Sequence, residues 1–124
     1  MRIRIYTKSM GTIYLIRNTV NEKVYIGQTS RPLQMRLDEH LGDLVVGIHY
    51  NKHLQSAFKT YGNDCFEFDV LEANVLVEDL TRREKYWIEY YDSLNPEKGY
   101  NLREPDYAFT DEVRELLRRN WIGA

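Results

Sequence analysis

Residues 11–27 of the chain read GTIYLIRNTVNEKVYIG and contain two runs of β-branched and aromatic residues. The runs are Thr12–Arg17 and Val24–Gly27, and the six residues between them, 18–23, are polar and rich in turn formers. Such runs favour β-strands, and a polar break of this kind favours a turn between them. The stretch therefore predicts a β-hairpin with a six-residue loop.

Each strand of the predicted hairpin contains a tyrosine, Tyr14 in the first and Tyr25 in the second. Because side chains on paired strands alternate between two faces, the hairpin can place both phenols on the same side. Gly27, within the second strand, indicates the close approach of a ligand or of another backbone. The alternative is that aromatic residues simply suit strands, and the chain has ten tyrosines.

Downstream of the hairpin, the spacing of apolar residues predicts three helices, two further strands and a last helix. They are a helix from Pro32 to Gly47 with a stripe of leucines, a helix capped by Asn51 that ends near Gly62, a half-buried strand over 66–70, a helix over 78–91, a short strand over 100–102 and an amphipathic helix over 111–120. A short strand is also expected within residues 1–10. The order predicts an α+β fold with a small, mainly antiparallel three-stranded sheet flanked by helices.

The composition is that of an ordinary soluble globular protein, and 124 residues are enough for one domain. No run of 18 apolar residues is present, so no membrane span is expected, and the N-terminal residues lack the apolar core of a signal peptide. Cys65 is the single cysteine, which excludes an intrachain disulfide and fits a reducing compartment. We therefore expect a cytoplasmic, or at least intracellular, protein.

The charge of the chain is unevenly distributed along the sequence. The formal net charge is −2, but residues 1–36 contain seven Lys and Arg against Glu22 alone, whereas residues 37–124 are acidic overall. A basic N-terminal region on an otherwise acidic chain can bind phosphates locally. A split of this kind also arises by chance, so the charge alone does not decide the partner.

Glu84 is the most unusual residue of the predicted third helix. It falls in one helical stripe with Leu80, Trp87 and Tyr91. A carboxylate in an apolar stripe is costly to bury unless it is paired or binds a metal. The alternatives are an ion pair with Arg83, Lys85 or a distant arginine, or a stripe edge that faces water.

Arg36 and His40 are one helical turn apart and flank the leucine stripe of the first predicted helix. An arginine offers a permanent fork of donors to a phosphate, and a histidine can pass a proton near neutral pH. Side by side, the two side chains can therefore grip a phosphate. The alternative is a solvated helix edge with no chemistry.

Together these positions resemble the GIY-YIG nuclease superfamily, in five ordered motifs between Gly11 and Leu102. The motifs are Gly11-Thr12-Ile13-Tyr14, Tyr25-Ile26-Gly27, Arg36-x3-His40, Arg83-Glu84-x2-Trp87-Ile88 and Gly99-Tyr100-Asn101. The stretch with His49, Leu54-Gln55-x2-Phe58 and Tyr61-Gly62 is most similar to phage-type homing endonucleases. One departure is Thr12, which stands where the family usually has a glycine directly before Ile-Tyr.

The resemblance implies a DNA endonuclease that hydrolyses phosphodiester bonds with one divalent cation, Mg²⁺ or Mn²⁺ in its place. It implies that Glu84 holds the cation and Arg36 binds the phosphate. Tyr14 would be the general base, with His40 as the alternative base or as a proton relay, while Tyr25 orients the water or phosphate and Asn101 fixes the site. Contacts to double-stranded DNA are expected from four residues: Arg31, Arg36, His49 and Lys52.

The resemblance also implies a division of the chain into a GIY-YIG catalytic domain, residues 1–102, and a linker with an amphipathic helix, residues 103–124. Relatives with this motif set often have a separate DNA-binding module, so a fused or separate module is expected. The last helix can instead be a packing element or a homodimer contact. Competing functions are a restriction or repair nuclease on the same scaffold and a catalytically silent DNA-binding domain.

Overall fold

The computed structural model describes residues 9–102, and their architecture is α+β. The elements are β1 (Met10–Asn18), β2 (Val24–Thr29), α1 (Leu33–Val46), α2 (Lys52–Tyr61), β3 (Phe66–Leu76) and α3 (Leu80–Tyr91), with single 3-10 turns at Asn63–Cys65 and Val77–Asp79. The strands form one antiparallel sheet in the order β2-β1-β3, which confirms the predicted fold class. The expected N-terminal strand, the linker from residue 103 and the helix over 111–120 lie outside the described residues.

The hairpin of β1 and β2 has the predicted face pattern. Tyr14 pairs with Gly27 and Ile16 pairs with Tyr25, so both phenols lie on one side of the sheet. β1 extends to Asn18, whose buried side chain donates to the phenol oxygen of Tyr100 at 3.1 Å, and the loop is therefore one residue shorter than expected.

The sheet is covered on both faces, and each face has its own apolar cluster. On the face with the two phenols, Ile16 packs with Leu44 of α1 and with Leu54 and Ala57 of α2. On the opposite face, the cluster joins strand residues to Leu80 and Ile88 of α3. With helices on both sides, the central run of β1 is almost completely buried, which explains its continuous apolar sequence.

The predicted helix ends around α1 and α2 are confirmed. Gly47 ends α1 with a φ of 91°, in the left-handed region that glycine adopts without a steric penalty. The Asn51 side chain accepts a hydrogen bond from the backbone N–H of Leu54 at 2.9 Å and so caps α2. These two residues fix the connection between the helices, residues 47–51.

Other parts of the predicted secondary structure also differ from the observed elements. Pro32 precedes α1 rather than lying in its first turn, and α3 begins at Leu80 because residues 77–79 form a 3-10 turn. β3 continues six residues past Val70, since the start of β1 offers it a partner as far as Leu76. The expected strand over 100–102 is an isolated parallel bridge between Val24 and Gly99. None of the helices within residues 9–102 meets the length and apolarity that a membrane crossing requires.

Candidate active site

The phenol of Tyr14 lies directly over Gly27 on the face of the sheet that α1 covers. A Cβ atom added at Gly27 would lie 2.5 Å from both Cζ and Oη of Tyr14. Any larger residue at position 27 would displace the phenol. The group that approaches Gly27 is thus the buried side chain of Tyr14, and not the ligand or backbone that the sequence predicted.

A chain of hydrogen bonds leads away from the Tyr14 hydroxyl. Tyr14 Oη lies 2.5 Å from His40 Nε2, and His40 Nδ1 lies 2.7 Å from His49 Nε2. The backbone N–H of Asn51 donates to His49 Nδ1 at 3.0 Å. The two imidazole rings are stacked with centroids 5.0 Å apart, and both are buried. One continuous path thus joins the phenol to the backbone at the start of α2.

A second set of contacts surrounds the guanidinium of Arg36, which is 2% exposed. Its Nη2 donates to Tyr50 Oη at 3.1 Å, and Tyr50 Oη is in turn hydrogen-bonded to Tyr25 Oη. Glu39 Oε2 lies 4.0 Å from Arg36 Nη1. The Tyr50 ring stacks on His49 at a centroid distance of 4.5 Å, so this set joins the histidine chain.

The burial of Arg36 and His40 overturns one expectation about α1. The helix residues that are buried include Arg36, His40 and Leu44, whereas Leu33 and Leu37 are only partly buried. The leucine stripe is therefore not the main inward face, and the polar pair is not a solvated edge. The long side chains of Arg36 and His40 face the sheet because Tyr14, Tyr25 and Tyr50 provide partners for them.

Glu84 lies on the other face of the sheet, on α3, and is 3% exposed. Gln28 of β2 donates from Nε2 to Glu84 Oε2 at 3.0 Å. Gly27 and Gln28 are consecutive, so their side-chain positions point to opposite faces of β2. The phenol and the carboxylate thus flank consecutive residues of the same edge strand, one on each face.

The neighbouring arginine on α3 does not pair with Glu84. Arg83 donates from Nε to Glu72 Oε1 at 2.7 Å, and Trp87 Nε1 donates to the same oxygen at 2.8 Å. The hydrogen bond from Arg83, supported by that from Trp87, holds the pKa of Glu72 below its ordinary value, although partial burial opposes the shift. Of the alternatives considered for Glu84, the ion pair with Arg83 is therefore not formed.

Asn101 holds the outer edge of β2 next to Gly27. Its Oδ1 accepts from the backbone N–H of Ile26 at 2.9 Å, and its Nδ2 donates to the Ile26 carbonyl at 3.0 Å. The Asn101 backbone N–H donates to the Ser93 carbonyl just after α3. The Asn101 side chain thus satisfies the backbone of Ile26 as a neighbouring strand would. The Asn101 backbone joins this edge to Ser93, just after α3.

Comparison with known proteins decides the family. Residues 10–101 match the GIY-YIG catalytic domain. The chain belongs to this family. The five motifs therefore lie in a GIY-YIG domain, and the candidate site described above is built from its elements.

Named relatives and solved structures agree with this assignment. The domain is 36% identical over 106 residues to intron-associated endonuclease 1 of Enterobacteria phage T4, a match that covers 84% of this chain and 41% of the relative. It is 42% identical over 119 residues to probable intron-encoded endonuclease 1 of Neurospora crassa, covering 90% of this chain and 38% of that protein. The chain therefore spans about two-fifths of the length of these two relatives.

The fold is similar to that of the catalytic domain of the homing endonuclease I-TevI. That structure is 34% identical to this chain with a TM-score of 0.69, and the match covers 75% of this chain and 98% of the other. A mutant of the same catalytic domain is 33% identical with a TM-score of 0.71, and the match covers 79% and 98% of the two chains. The GIY-YIG fold is thus shared over almost the whole of those domains.

The residues expected to contact DNA differ in accessibility. Lys52 is exposed at the first turn of α2. Arg31 is partly exposed, and its Nη2 lies 2.5 Å from Glu39 Oε1. His49 is 5% exposed, and both of its ring nitrogens are hydrogen-bonded within the protein. Its ring nitrogens are thus bonded to His40 and to the Asn51 backbone, and a DNA contact by His49 stays a prediction.

The sequence did not indicate three residues of the site, which are Gln28, Glu39 and Tyr50. Gln28 was detectable, because strand alternation places it on the face opposite Gly27, toward the helix that contains Glu84. Tyr50 directly follows His49, but nothing in its spacing indicates the contacts with Tyr25 and Arg36. Those contacts depend on the path of residues 47–51.

The donor set fits a hard divalent cation that is held mostly by water and substrate. Within residues 9–102, no three His, Cys, Asp or Glu side chains cluster as a metal centre. Glu84 is instead a buried carboxylate that accepts a hydrogen bond from the side chain of Gln28. Mg²⁺ is commonly held by one or two carboxylates together with substrate phosphates rather than by an all-protein cage.

Proposed function

We propose that this GIY-YIG domain is a DNA endonuclease that hydrolyses phosphodiester bonds with one divalent cation, Mg²⁺ or Mn²⁺ in its place. The observation that carries the proposal is the burial of Arg36, Tyr14 and Glu84 beside β2. Tyr14 lies over Gly27, Gln28 donates to Glu84, and Arg36 is linked to Tyr25 through Tyr50. A buried charged group destabilises the fold unless it is paired with an opposite charge or binds a ligand. The Arg36 guanidinium, the Glu84 carboxylate and the Tyr14 phenol are the kinds of group that phosphodiester hydrolysis requires.

Each step of phosphodiester hydrolysis has a group in this site. Arg36 binds the phosphate and stabilises the negative charge that grows on it in the transition state. Tyr14 or His40 takes a proton from the attacking water, and the hydrogen bond between them allows either to assist the other. Tyr25, linked to Arg36 through Tyr50, orients the water or the phosphate, and Asn101 holds the strand.

Glu84 would hold the divalent cation, whose charge would neutralise the phosphate and its leaving oxygen. Gln28 positions the carboxylate by donating to one of its oxygens. Arg31, Arg36 and Lys52 would contact the backbone of double-stranded DNA.

We further propose a homing-type catalytic module, in which residues 1–102 cut and residues 103–124 link them to a separate DNA-binding module. The relatives from phage T4 and Neurospora are intron endonucleases by name, and this chain matches only part of their length. A homodimer is the alternative arrangement for a double-strand break, because one site cuts one strand at a time. DNA as substrate implies work inside a cell, including a phage-infected one.

The experiment that tests the proposal is the nicking of supercoiled plasmid in Mg²⁺, with and without EDTA. We expect nicking that EDTA abolishes and that Glu84→Gln lowers by at least about 100-fold, the typical loss of one transition-state stabilising group. The matched control is Glu89→Gln, which removes an exposed carboxylate from the same helix. DNA binding without nicking would instead support a silent binding domain, and nicking by Glu84→Gln at the wild-type rate would contradict the metal role.

A further inference from the structure

We propose that the backbone N–H of Asn51 fixes the ring protons of His49 and His40, so that His40 presents an N–H to the oxygen of Tyr14. His49 is then a positioning residue that acts through His40. The catalytic meaning of this arrangement rests on the proposed nuclease function, but the proton positions do not.

The first step concerns His49. Its Nδ1 accepts the Asn51 backbone N–H at 3.0 Å, and a ring nitrogen that accepts has no proton of its own. A neutral imidazole has one ring proton, which must then be on Nε2. His49 Nε2 is therefore a donor, and it lies 2.7 Å from His40 Nδ1.

The second step passes this restriction to His40. A hydrogen bond needs one donor and one acceptor, so His40 Nδ1 accepts from His49. The ring proton of a neutral His40 is then on Nε2, which lies 2.5 Å from Tyr14 Oη. Tyr14 therefore accepts a hydrogen bond from His40.

The reverse direction is excluded by the same geometry. If His40 donated from Nδ1, His49 would accept at both nitrogens and would have no ring proton, which is an imidazolate. A doubly protonated His40 would direct its Nδ1–H at the Nε2–H of His49, and a doubly protonated His49 would direct an N–H at the amide of Asn51. With both rings buried, no water-facing position relieves either clash.

The direction of these hydrogen bonds separates the two candidate bases. His40 cannot remove a proton from Tyr14 along a bond in which it is already the donor, and a donor to the phenol oxygen favours the phenolate. In this step Tyr14 acts as a phenolate that has already released its own proton to solvent, and it accepts a proton from the attacking water while the water oxygen bonds to phosphorus. The bond to the leaving sugar oxygen breaks in the same displacement, and that oxygen takes a proton from solvent.

Nitrogen NMR on the wild-type protein with ¹⁵N-labelled histidine tests the proton positions directly, without DNA. The chain has three histidines, and exposed His53 serves as the internal reference for a ring in free exchange. We expect His40 and His49 to be protonated on Nε2 and unprotonated on Nδ1 at neutral pH. A proton on Nδ1 of His40, or on both of its nitrogens, would overturn the proposal.

Two variants of His49 separate positioning from general structural support. His49→Gln keeps a donor directed to His40, whereas His49→Asn keeps an acceptor near the Asn51 amide but has no donor that reaches His40. We expect His40 to stay protonated on Nε2 in His49→Gln and to populate both forms in His49→Asn. An unchanged His40 signal in His49→Asn would refute the proposed control by His49.

Plasmid nicking supplies the functional readout. We expect His49→Gln to nick at least about tenfold faster than His49→Asn, the lower end of effects seen when a group that orients a catalytic ligand is removed. Equal nicking rates in the two variants, despite different positions of the His40 ring proton, would show that the position of this proton does not affect DNA cleavage. Wild-type protein that shows the expected signals but does not nick would contradict the nuclease function alone.

Discussion

At the scale of single residues, the site lowers the stability of the fold because it buries two charged side chains. Arg36 is 2% exposed and Glu84 is 3% exposed. The Arg36 guanidinium donates to Tyr50 and lies near Glu39, and its planar fork is the feature that suits a phosphate. We expect Arg36→Lys to lower plasmid nicking by at least about 100-fold, because the positive charge remains but the fork is lost.

The control for this prediction is Arg82→Lys, an exposed arginine on α3. Thermal unfolding of both variants separates a loss of chemistry from a loss of fold. A folded Arg36→Lys protein that nicks at nearly the wild-type rate would show that charge alone suffices.

Residue patterns anticipated the parts of the site that depend on local geometry. Strand alternation was enough to place Tyr14 and Tyr25 on one face. Gly27 indicated a close approach, but the approaching group is the Tyr14 side chain and not a ligand or a backbone. The buried direction of Arg36 and His40 was not predictable, because α1 has apolar residues on several sides and the contacts that orient it come from distant tyrosines. Tyr50 was missed for the same reason, since its partners are 14 and 25 residues away in sequence.

At the scale of elements, α3 is joined to β3 by one carboxylate outside the site. Glu72 of β3 accepts hydrogen bonds from Arg83 and Trp87 of α3, and the Arg83 contact holds its pKa below the ordinary 4.5. A lowered carboxyl pKa stabilises the fold above the unfolded-state pKa, and that stability is lost as the pH falls through the folded-state pKa. The stability that the charged form of Glu72 contributes is therefore lost at pH values below 4.5.

We expect Glu72→Gln to lower the free energy of unfolding at pH 7 by about 0.5–1 kcal/mol, as for a partly exposed ion pair. The difference from wild type should shrink as the pH is lowered through the window below 4.5, because the wild-type carboxyl then becomes neutral. Urea unfolding at a series of pH values measures it, with Glu78→Gln, an exposed acid in the preceding turn, as the control. A difference that stays constant down to strongly acidic pH would rule out the charged form of Glu72 as its cause.

The elements themselves were largely predictable, and their ends were not. The caps at Gly47 and Asn51 depend on local backbone chemistry and were found where expected. β3 runs past Val70 and α3 starts late because pairing with β1 sets the length of the strand. The bridge at Gly99 replaced a strand because the side chain of Asn101 binds Ile26, a long-range contact that strand propensity does not show.

At the scale of the whole molecule, all of the described site contacts lie within the GIY-YIG domain, residues 10–101. Leu102, the last described residue, is 52% exposed, and the sheet is already covered on both faces by α1, α2 and α3. We therefore propose that the part of the chain needed for catalysis ends at residue 102.

A chain shortened to residues 1–102 tests that boundary. We expect it to unfold in one cooperative transition and to nick plasmid at a rate close to that of the full chain, because Tyr14, Arg36, Glu84 and Asn101 keep all their described partners. Circular dichroism and the nicking assay measure the two properties, and the full chain is the control. A shortened chain that folds but no longer nicks would assign residues 103–124 to catalysis or DNA capture rather than to a linker.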